Sequence, residues 1–369
     1  MSWNNMNTNK KIITKSCKIE DKDALQSAIY EMQEQGLCIV TLENETTKTY
    51  KIGYCIERQE MKEDAIRALI NKNVTPIKFK PVAPLKKSGK NVAKQFSTGN
   101  KVMAIINIAD FHLNRFTNGL DGFGDPYDIE IGTDVFKGII AECKDRLQKN
   151  GHIIERIVLN TGGDFLNSDT PVHTTTNGTP QSDSTSYKQA LRRGCDLLEF
   201  ALLELSKIAP VEYYYVAGNH DEQQGLAITF YLEARFRESK NIKVDIATNS
   251  RATIKYGNNL VVLAHGDYEG ARAIDLPFTE PNAKSHLSVA TNMEVLIGHK
   301  HNPDMKCKNG VRLETLGSAC PVGCDWTYNS GYGDGNPEAT IVYYDNDYRV
   351  QQDTIYTRRI YDERMSKRK

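Results

Sequence analysis

Five apolar, β-rich runs in this sequence each stop at a short polar cluster. VMAIINIA runs into Asp110-Phe111-His112, IVLNT into Gly162-Gly163-Asp164, and VEYYYVA into Gly218-Asn219-His220-Asp221. LVVLA ends in His265-Gly266-Asp267, and EVLI in Gly298-His299-Lys300-His301. Short apolar runs bounded in this way have the pattern of buried strands, and ligand crevices of α/β sheets form beyond the carboxyl ends of strands. Of the eight histidines in the chain, five (112, 220, 265, 299 and 301) stand at these ends. Chance is a poor explanation for that placement.

Imidazole, carboxylate and one neutral amide together suit borderline divalent transition ions, whereas magnesium and calcium favour an all-oxygen shell. Asp110, His112, Asp164, Asn219, His220, His265, His299 and His301 are therefore candidate metal ligands. The Asp-x-His and His-x-His spacings are expected to act as two-pronged clips, because residues i and i+2 of extended chain project to the same side. Gly163, Gly218, Gly266 and Gly298 are expected to let the backbone turn sharply and approach the site closely.

Between the strand runs the spacing predicts helices: Thr133 to Lys149, residues 186 to 208, and residues 221 to 238. Further strands follow in VRLETLGS, ATIVYYD and YRVQQDTIY. Strand and helix alternate and then give way to a β-rich half, which implies two packed sheets with helices outside. The 47 basic and 47 acidic residues balance, so a supercharged nucleic-acid coat is excluded and any basic patch must be local. No apolar run has membrane-spanning length and the first residues, MSWNNMNTNKK, lack a signal-type apolar core; the chain reads as a cytoplasmic protein without membrane attachment. Eight scattered cysteines read as free thiols, with Cys320-x-x-x-Cys324 a weak metal half-site.

Residues 1–70 read as a small α+β domain. Leu25, Ile29 and Met32 predict a helix from about Asp21 to Gln35, LCIVTLE and TKTYKIGYCI predict two strands, and Ala65, Ile66, Leu69 and Ile70 a second helix. Helix followed by hairpin is the order of the back half of a winged helix; a small cap or oligomerisation unit accounts for the same pattern. Residues 71–101 carry eight lysines, three prolines and no acidic residue, the composition of a linker. Lys78, Lys80, Lys86, Lys87, Lys90 and Lys94 would suit a phosphate backbone, and a solvated spacer needs no partner at all.

Taken in order, Asp110-x-His112, Gly163-Asp164, Gly218-Asn219-His220-Asp221, His265 and Gly298-His299-x-His301 resemble the five motifs of the calcineurin-like metallophosphoesterase superfamily. The likeness covers roughly residues 102 to 350 and assigns residues 102–369 to one catalytic domain. It implies a four-layer α/β/β/α sandwich around two divalent transition-metal ions, manganese foremost, with iron, zinc or cobalt as alternatives. By the resemblance Asp110, His112 and His301 hold one ion, Asn219, His265 and His299 the other, and Asp164 bridges. A water acidified between ions ~3.5 to 4 Å apart would attack phosphorus. His220 would be the catalytic acid, with Asp221 orienting its ring.

The chain also departs from the superfamily. Where many of its phosphatases have Gly-Asp-x-x-Asp and then arginine, this sequence has Gly163-Asp164-Phe165-Leu166-Asn167-Ser168, which disfavours a grip on dianionic monoesters. Residues 167 to 186 are too long and polar for a connector and are expected to overhang the crevice, with His173 and Asn167 as substrate contacts. Thr175-Thr176-x-Gly178-Thr179-Pro180-Gln181 is similar to a loop of phage-encoded members described as DNA-repair-exonuclease-like. The resemblance thus implies a phosphodiesterase acting on nucleic acid, DNA before RNA. Nucleotides or other small phosphoesters are the alternative, and a non-catalytic metal-stabilised binding module is a third reading. His152 and His286 read as surface or packing residues, and Asp121, Asp125 and Asp128 as turn caps. Tyr213, Tyr214 and Tyr215 read as core, while Trp326, Tyr328 and Tyr332 are the better base-stacking candidates. Oligomeric state is left open, a homo-oligomer included.

Overall fold

The computed structural model describes residues 14–18, 38–44, 49–55, 63–77, 100–119, 125–246, 250–323 and 336–368. Two compact units divide the chain, Met1–Leu69 and Ile70–Lys369. In the first, β1 (Thr14–Lys18), β2 (Cys38–Asn44) and β3 (Thr49–Cys55) form an antiparallel sheet in the order β1-β3-β2. The hairpin expected from the sequence is present as β2 and β3; β1 was not expected. The winged reading depends on the helix expected at 21–35, which lies outside the described residues, as do the lysines from 78 to 94. Helix α1 (Glu63–Asn73) runs on into the expected linker.

In the second unit, β4 (Lys101–Asn107) is buried from its second residue onward, and its two faces serve different cores. Val102, Ala104 and Ile106 pack toward helices, whereas Met103 and Ile105 meet Ile254, Val261, Leu263 and Leu296 of another sheet. A strand covered on both faces reads as an unbroken apolar run, which is why this one was plain in the sequence. β4 lies inside a six-stranded sheet with β5 (Ile153–Asn160), β6 (Val211–Tyr214), β7 (Ile242–Asp245), β13 (Glu338–Tyr344) and β14 (Arg349–Tyr356), in the order β14-β13-β4-β5-β6-β7. Strands β4 to β7 are parallel, so their carboxyl ends share one edge.

The facing sheet has five strands in the order β11-β12-β10-β9-β8: β8 (Ala252–Tyr256), β9 (Asn259–Ala264), β10 (Asn292–Ile297), β11 (Asp304–Lys308) and β12 (Val311–Thr315). Its three inner strands are parallel. Helices α2 (Ile129–Lys149), α3 (Tyr187–Leu205) and α4 (Glu222–Phe236) pack on the outer face of the six-stranded sheet. A 3₁₀ turn at Gly270–Asp275 and the one-turn helix α5 (Leu276–Thr279) cover the other sheet. The α/β/β/α order expected from the motifs is therefore the order observed, with one helical layer much thinner than its counterpart. A further helix, α6 (Thr357–Ser366), joins the thicker layer through Tyr361.

Local chemistry sets the boundaries of these elements. The Asp128 side chain accepts from Ile131 N at 2.7 Å and caps α2, the role expected of an aspartate in that turn. Strands β7, β8 and β11 and helix α6 were not read from the sequence. β11 is exposed along its whole length, so no burial pattern marks it. No described helix is long and apolar enough to cross a membrane.

Three aromatic rings tie the core to the strand ends. Phe111, which separates Asp110 from His112, stacks on Phe165, the residue after Asp164, at 5.9 Å between centroids. Both meet Phe136 of α2 edge-on at 5.4 Å. Removing the central ring leaves a cavity that the two flanking loops cannot fill without moving. Phe136→Ala is expected to lower unfolding stability by about 3–5 kcal/mol, to be read from urea melts of metal-free protein.

Candidate metal centre

The polar clusters beyond β4, β5, β6, β9 and β10 meet in one crevice. Asp110, His112 and His301 form one group whose ligand-type atoms lie within 4.8 Å of one another, and Asp164, His265 and His299 form a second. Asp164 also groups with His112 and His220, so its carboxylate adjoins both sets. In the first group His112 Nε2 is 3.2 Å from His301 Nε2, and His301 Nε2 is 3.5 Å from Asp110 Oδ1. In the second, His265 Nε2 is 3.0 Å from Asn219 Oδ1 and 3.2 Å from Asp164 Oδ2. All seven expected ligands are thus brought together.

The means of convergence differs from the expected one. Asp110, His112, Asp164, His299 and His301 all have φ between 48° and 68°, the left-handed region. The Asp-x-His and His-x-His pairs are therefore not extended clips, because β4 ends at Asn107 and β10 at Ile297. Tight left-handed turns aim the side chains instead, a conformation that costs an L-residue ~1–2 kcal/mol each and clusters where function requires it. Two of the glycines serve close approach. A Cβ on Gly218 would lie 2.2 Å from both N and Oδ1 of Asp164, and one on Gly298 would lie 2.5 Å from Asp110 Oδ2.

Hydrogen bonds fix each ligand from behind. His299 N donates to both oxygens of Asp110 at 3.0 Å, tying the β10 end to the β4 end across the two sheets. His220 N donates to Asp164 Oδ1 at 2.7 Å. His265 Nδ1 donates to the Gly162 carbonyl at 2.8 Å, which leaves a lone pair on Nε2 facing the oxygens of Asn219 and Asp164. Three acceptors converging on one point need a cation among them. Without metal that cation is a proton: burial opposes charge on His265, but Asp164 outweighs burial and pushes the imidazole up to about 10. Burial alone would raise Asp164, yet His265 and His220 hold it well below the usual carboxylate range. Burial and then Arg115 keep His112 well below the ordinary imidazole range, and burial and then His265 lower His299. Lowered imidazoles at His112 and His299 beside an ionised Asp164 match the ligand states divalent metals require, and at His265 a metal would have to displace the proton.

The remaining expected residues separate. His220 sits edge-on to His112, with ring centroids 4.7 Å apart. Asp221 does not orient it: the Asp221 carboxylate accepts from Asp164 N and Leu166 N, both at 3.0 Å, and burial and then Asp164 push its carboxyl upward. The partner of His220 Nδ1 is the main-chain carbonyl of Asn167, at 2.9 Å. Asn167, expected as a substrate contact, is buried and spends its side-chain amide on Ser182 O and Asp183 Oδ1. His173 is partly exposed and donates Nδ1 to Asp183 Oδ2 at 2.8 Å.

Several residues were missed in the sequence because they carry no spacing signal. Arg115 is buried beside the first group, with Nε 3.5 Å from Asn167 Oδ1 and Nη1 3.2 Å from the Val322 carbonyl. Asp169 receives the main-chain N–H groups of Gln223 and Gln224 and so caps α4, the helix that begins just after the Asn219-His220-Asp221 turn. Tyr213, Tyr214 and Tyr215 are buried, as expected of core. His152 packs against Tyr343 and bonds Gln351. Asp121, Cys324, Trp326, Tyr328 and Tyr332 lie outside the described residues.

Residues 195–330 match the family model described as the calcineurin-like phosphoesterase superfamily domain. No curated protein sequence matches the chain. Similar solved structures include a conserved uncharacterized protein, a predicted phosphoesterase, from Streptococcus pneumoniae TIGR4. It is 15% identical with a TM-score of 0.30, covering 70% of this chain and 91% of that one. An archaeal phosphodiesterase is 14% identical with a TM-score of 0.35, over 69% of this chain and all (100%) of that one. Vacuolar protein sorting 29 from Cryptosporidium parvum is 14% identical with a TM-score of 0.31, over 69% and 96% of the two chains.

A side chain at position 218 must displace Asp164 and hence disturb both ligand groups. A divalent metal ion held by these groups should, at a hundred times its dissociation constant, stabilise the wild-type fold by about 2.7 kcal/mol. Gly218→Ala should show no metal-dependent rise in melting temperature at the same concentration, as followed by thermal-shift titration with divalent transition ions.

Proposed function

We propose that this chain, which carries a calcineurin-like phosphoesterase domain and is a phosphoester hydrolase, cleaves phosphodiester bonds of nucleic acid, DNA before RNA, with the help of two divalent transition-metal ions, manganese foremost. The observation that carries the reading is the position of Asp164 between two His/Asp groups, each with the donor set of a transition-metal site. Asp110, His112 and His301 would hold one ion, Asn219, His265 and His299 the other, and Asp164 both. Bound there, the ions would supply Lewis acidity, drawing charge from the phosphoryl oxygens and lowering the pKa of a nearby water.

The chain itself supplies the proton for the departing oxygen. His220 donates Nδ1–H to the Asn167 carbonyl, which fixes the ring and leaves Nε2 to carry the second proton. Its main-chain N–H is held by Asp164, so the acid and the shared ligand move as one piece. When the bond from phosphorus to the leaving oxygen breaks, the Nε2 proton passes to that oxygen, and the alcohol leaves neutral.

The diester reading is supported by what surrounds the site. No arginine follows the Gly163-Asp164 turn, and the Arg115 guanidinium is directed to the Val322 carbonyl and the Cys320 sulfur. A dianionic monoester gains most from a free bidentate arginine, and a diester carries one charge fewer. The lysine-rich stretch 78–94 and the aromatic residues 326, 328 and 332 support a polymer as substrate.

Manganese-loaded protein should cleave labelled single- or double-stranded DNA in a panel that also holds RNA, cyclic dinucleotides and bis-p-nitrophenyl phosphate. Cleavage confined to the small esters would remove the nuclease reading and leave a small-molecule phosphodiesterase. His220→Asn should lower turnover on DNA by at least about 100-fold while metal stays bound. Asp164→Ala should lose turnover and metal together, as measured by elemental analysis after gel filtration.

A further inference from the structure

We propose that Asp183 is a positioning residue for the general acid, acting through Asn167; this rests on the reading of His220 given above. The Asp183 side chain is 1% exposed and belongs to neither ligand group. Its two oxygens have different duties. Oδ1 accepts from Asn167 Nδ2 at 2.8 Å, while Oδ2 accepts from His173 Nδ1 at 2.8 Å and from the Ser168 hydroxyl. A carboxylate is costly to bury, and this one is spent on ordering a loop rather than on charge at the crevice.

What it orders is the carbonyl that holds the acid. Asn167 is fastened at its main-chain N–H, which donates to Leu113 O at 3.0 Å, and at its side-chain amide, which donates to Ser182 O at 3.0 Å and to Asp183. With both fastenings made, Asn167 O faces His220 Nδ1 at 2.9 Å. The chain of contact therefore runs from Asp183 to the Asn167 amide, along that residue to its carbonyl, and on to the imidazole. In many proteins a carboxylate bonds a catalytic imidazole directly; here a neutral carbonyl does so, and the carboxylate stands one residue behind it.

Asp183→Asn breaks this arrangement selectively. An amide has one acceptor oxygen, and the two donors at the Oδ2 side, His173 Nδ1 and Ser168 Oγ, will claim it. The new NH₂ then faces the NH₂ of Asn167, and the tether becomes a repulsion. The shape of the side chain is otherwise unchanged.

A misplaced acid harms only reactions whose leaving group needs a proton. p-Nitrophenolate departs unprotonated; the deoxyribose oxygen of a thymidine dinucleotide does not. In the full-length manganese-loaded protein, Asp183→Asn should reduce kcat on the dinucleotide by about 10- to 100-fold and on bis-p-nitrophenyl phosphate far less. KM and bound metal should be unchanged. Asn167→Ala keeps the main-chain carbonyl and loses the tether, so it should show the same inequality between the two esters. Equal losses on both esters, no loss on either, or loss of metal from Asp183→Asn would each overturn the role of Asp183 while leaving that of His220 standing. A metal-loaded wild type inactive on both esters would overturn the reading of His220 and this one with it. Should Asp183→Asn fail to fold, Asn167→Ala alone decides: equal losses on the two esters reject the proposal.

Discussion

The whole crevice is built around one buried carboxylate. Asp164 must stand beside His265 and Asn219 on one side and near His112 on the other, although these residues come from both sheets. Its main-chain N–H is held by Asp221, its Oδ1 by the N–H of His220, and its Oδ2 faces the His265 ring. These partners come from two strand ends, His220 and Asp221 from that of β6 and His265 from that of β9. Because Asp164 N and Oδ1 occupy the space where a side chain on residue 218 would begin, the β6 end can reach it only through glycine. The sandwich is, from this standpoint, a way of bringing two parallel strand edges to one carboxylate.

Convergence on this scale requires backbone that no regular element provides. The left-handed turns at Asp110, His112, Asp164, His299 and His301 are unfavourable one by one, and the surroundings must over-determine them. They do so by continuing the β4–β5 pairing beyond the strands. His112 N donates to Asp164 O, Leu113 N to Phe165 O and Asn167 N to Leu113 O, so the two ligand loops form a short ladder of their own. Below the ladder the Phe111, Phe136 and Phe165 rings lock it to α2. Strain at the ligands is thus balanced by packing one residue away, and the same sequence segments carry both.

This division explains what could and could not be read in the sequence. The convergence of the candidate ligands was legible because chemistry restricts their type and the strand ends restrict their place, as for His265 after LVVLA and His299 after EVLI. The layers were legible because strands buried on both faces, such as β4 and β9, are continuous apolar runs. The backbone geometry was not. An Asp-x-His pair is equally compatible with extended chain and with two left-handed turns, since side-chain spacing in sequence does not record φ. Nor was the partner of His220 legible, because it is a main-chain carbonyl and every residue has one. Asp221 was the natural choice by adjacency, but adjacent residues on a turn need not face each other, and its carboxylate is claimed by the N–H groups of Asp164 and Leu166.

The polar stretch from Asn167 to Ser186 acts as a brace. Asp169 caps the helix that follows His220, Thr176 N donates to Asn219 O, and Asn167 O receives His220 Nδ1, so one segment grips the Asn219-His220-Asp221 turn at two points and the start of α4 at a third. The segment is in turn held from within by Asn114, whose side-chain oxygen accepts from Ser184 Oγ, Thr185 N and Thr185 Oγ1. A lid that opened and closed would have to break these bonds, the one to His220 among them. Fixed placement of His220 therefore depends on this segment staying in place, while the ring of His173 that it carries stays partly exposed.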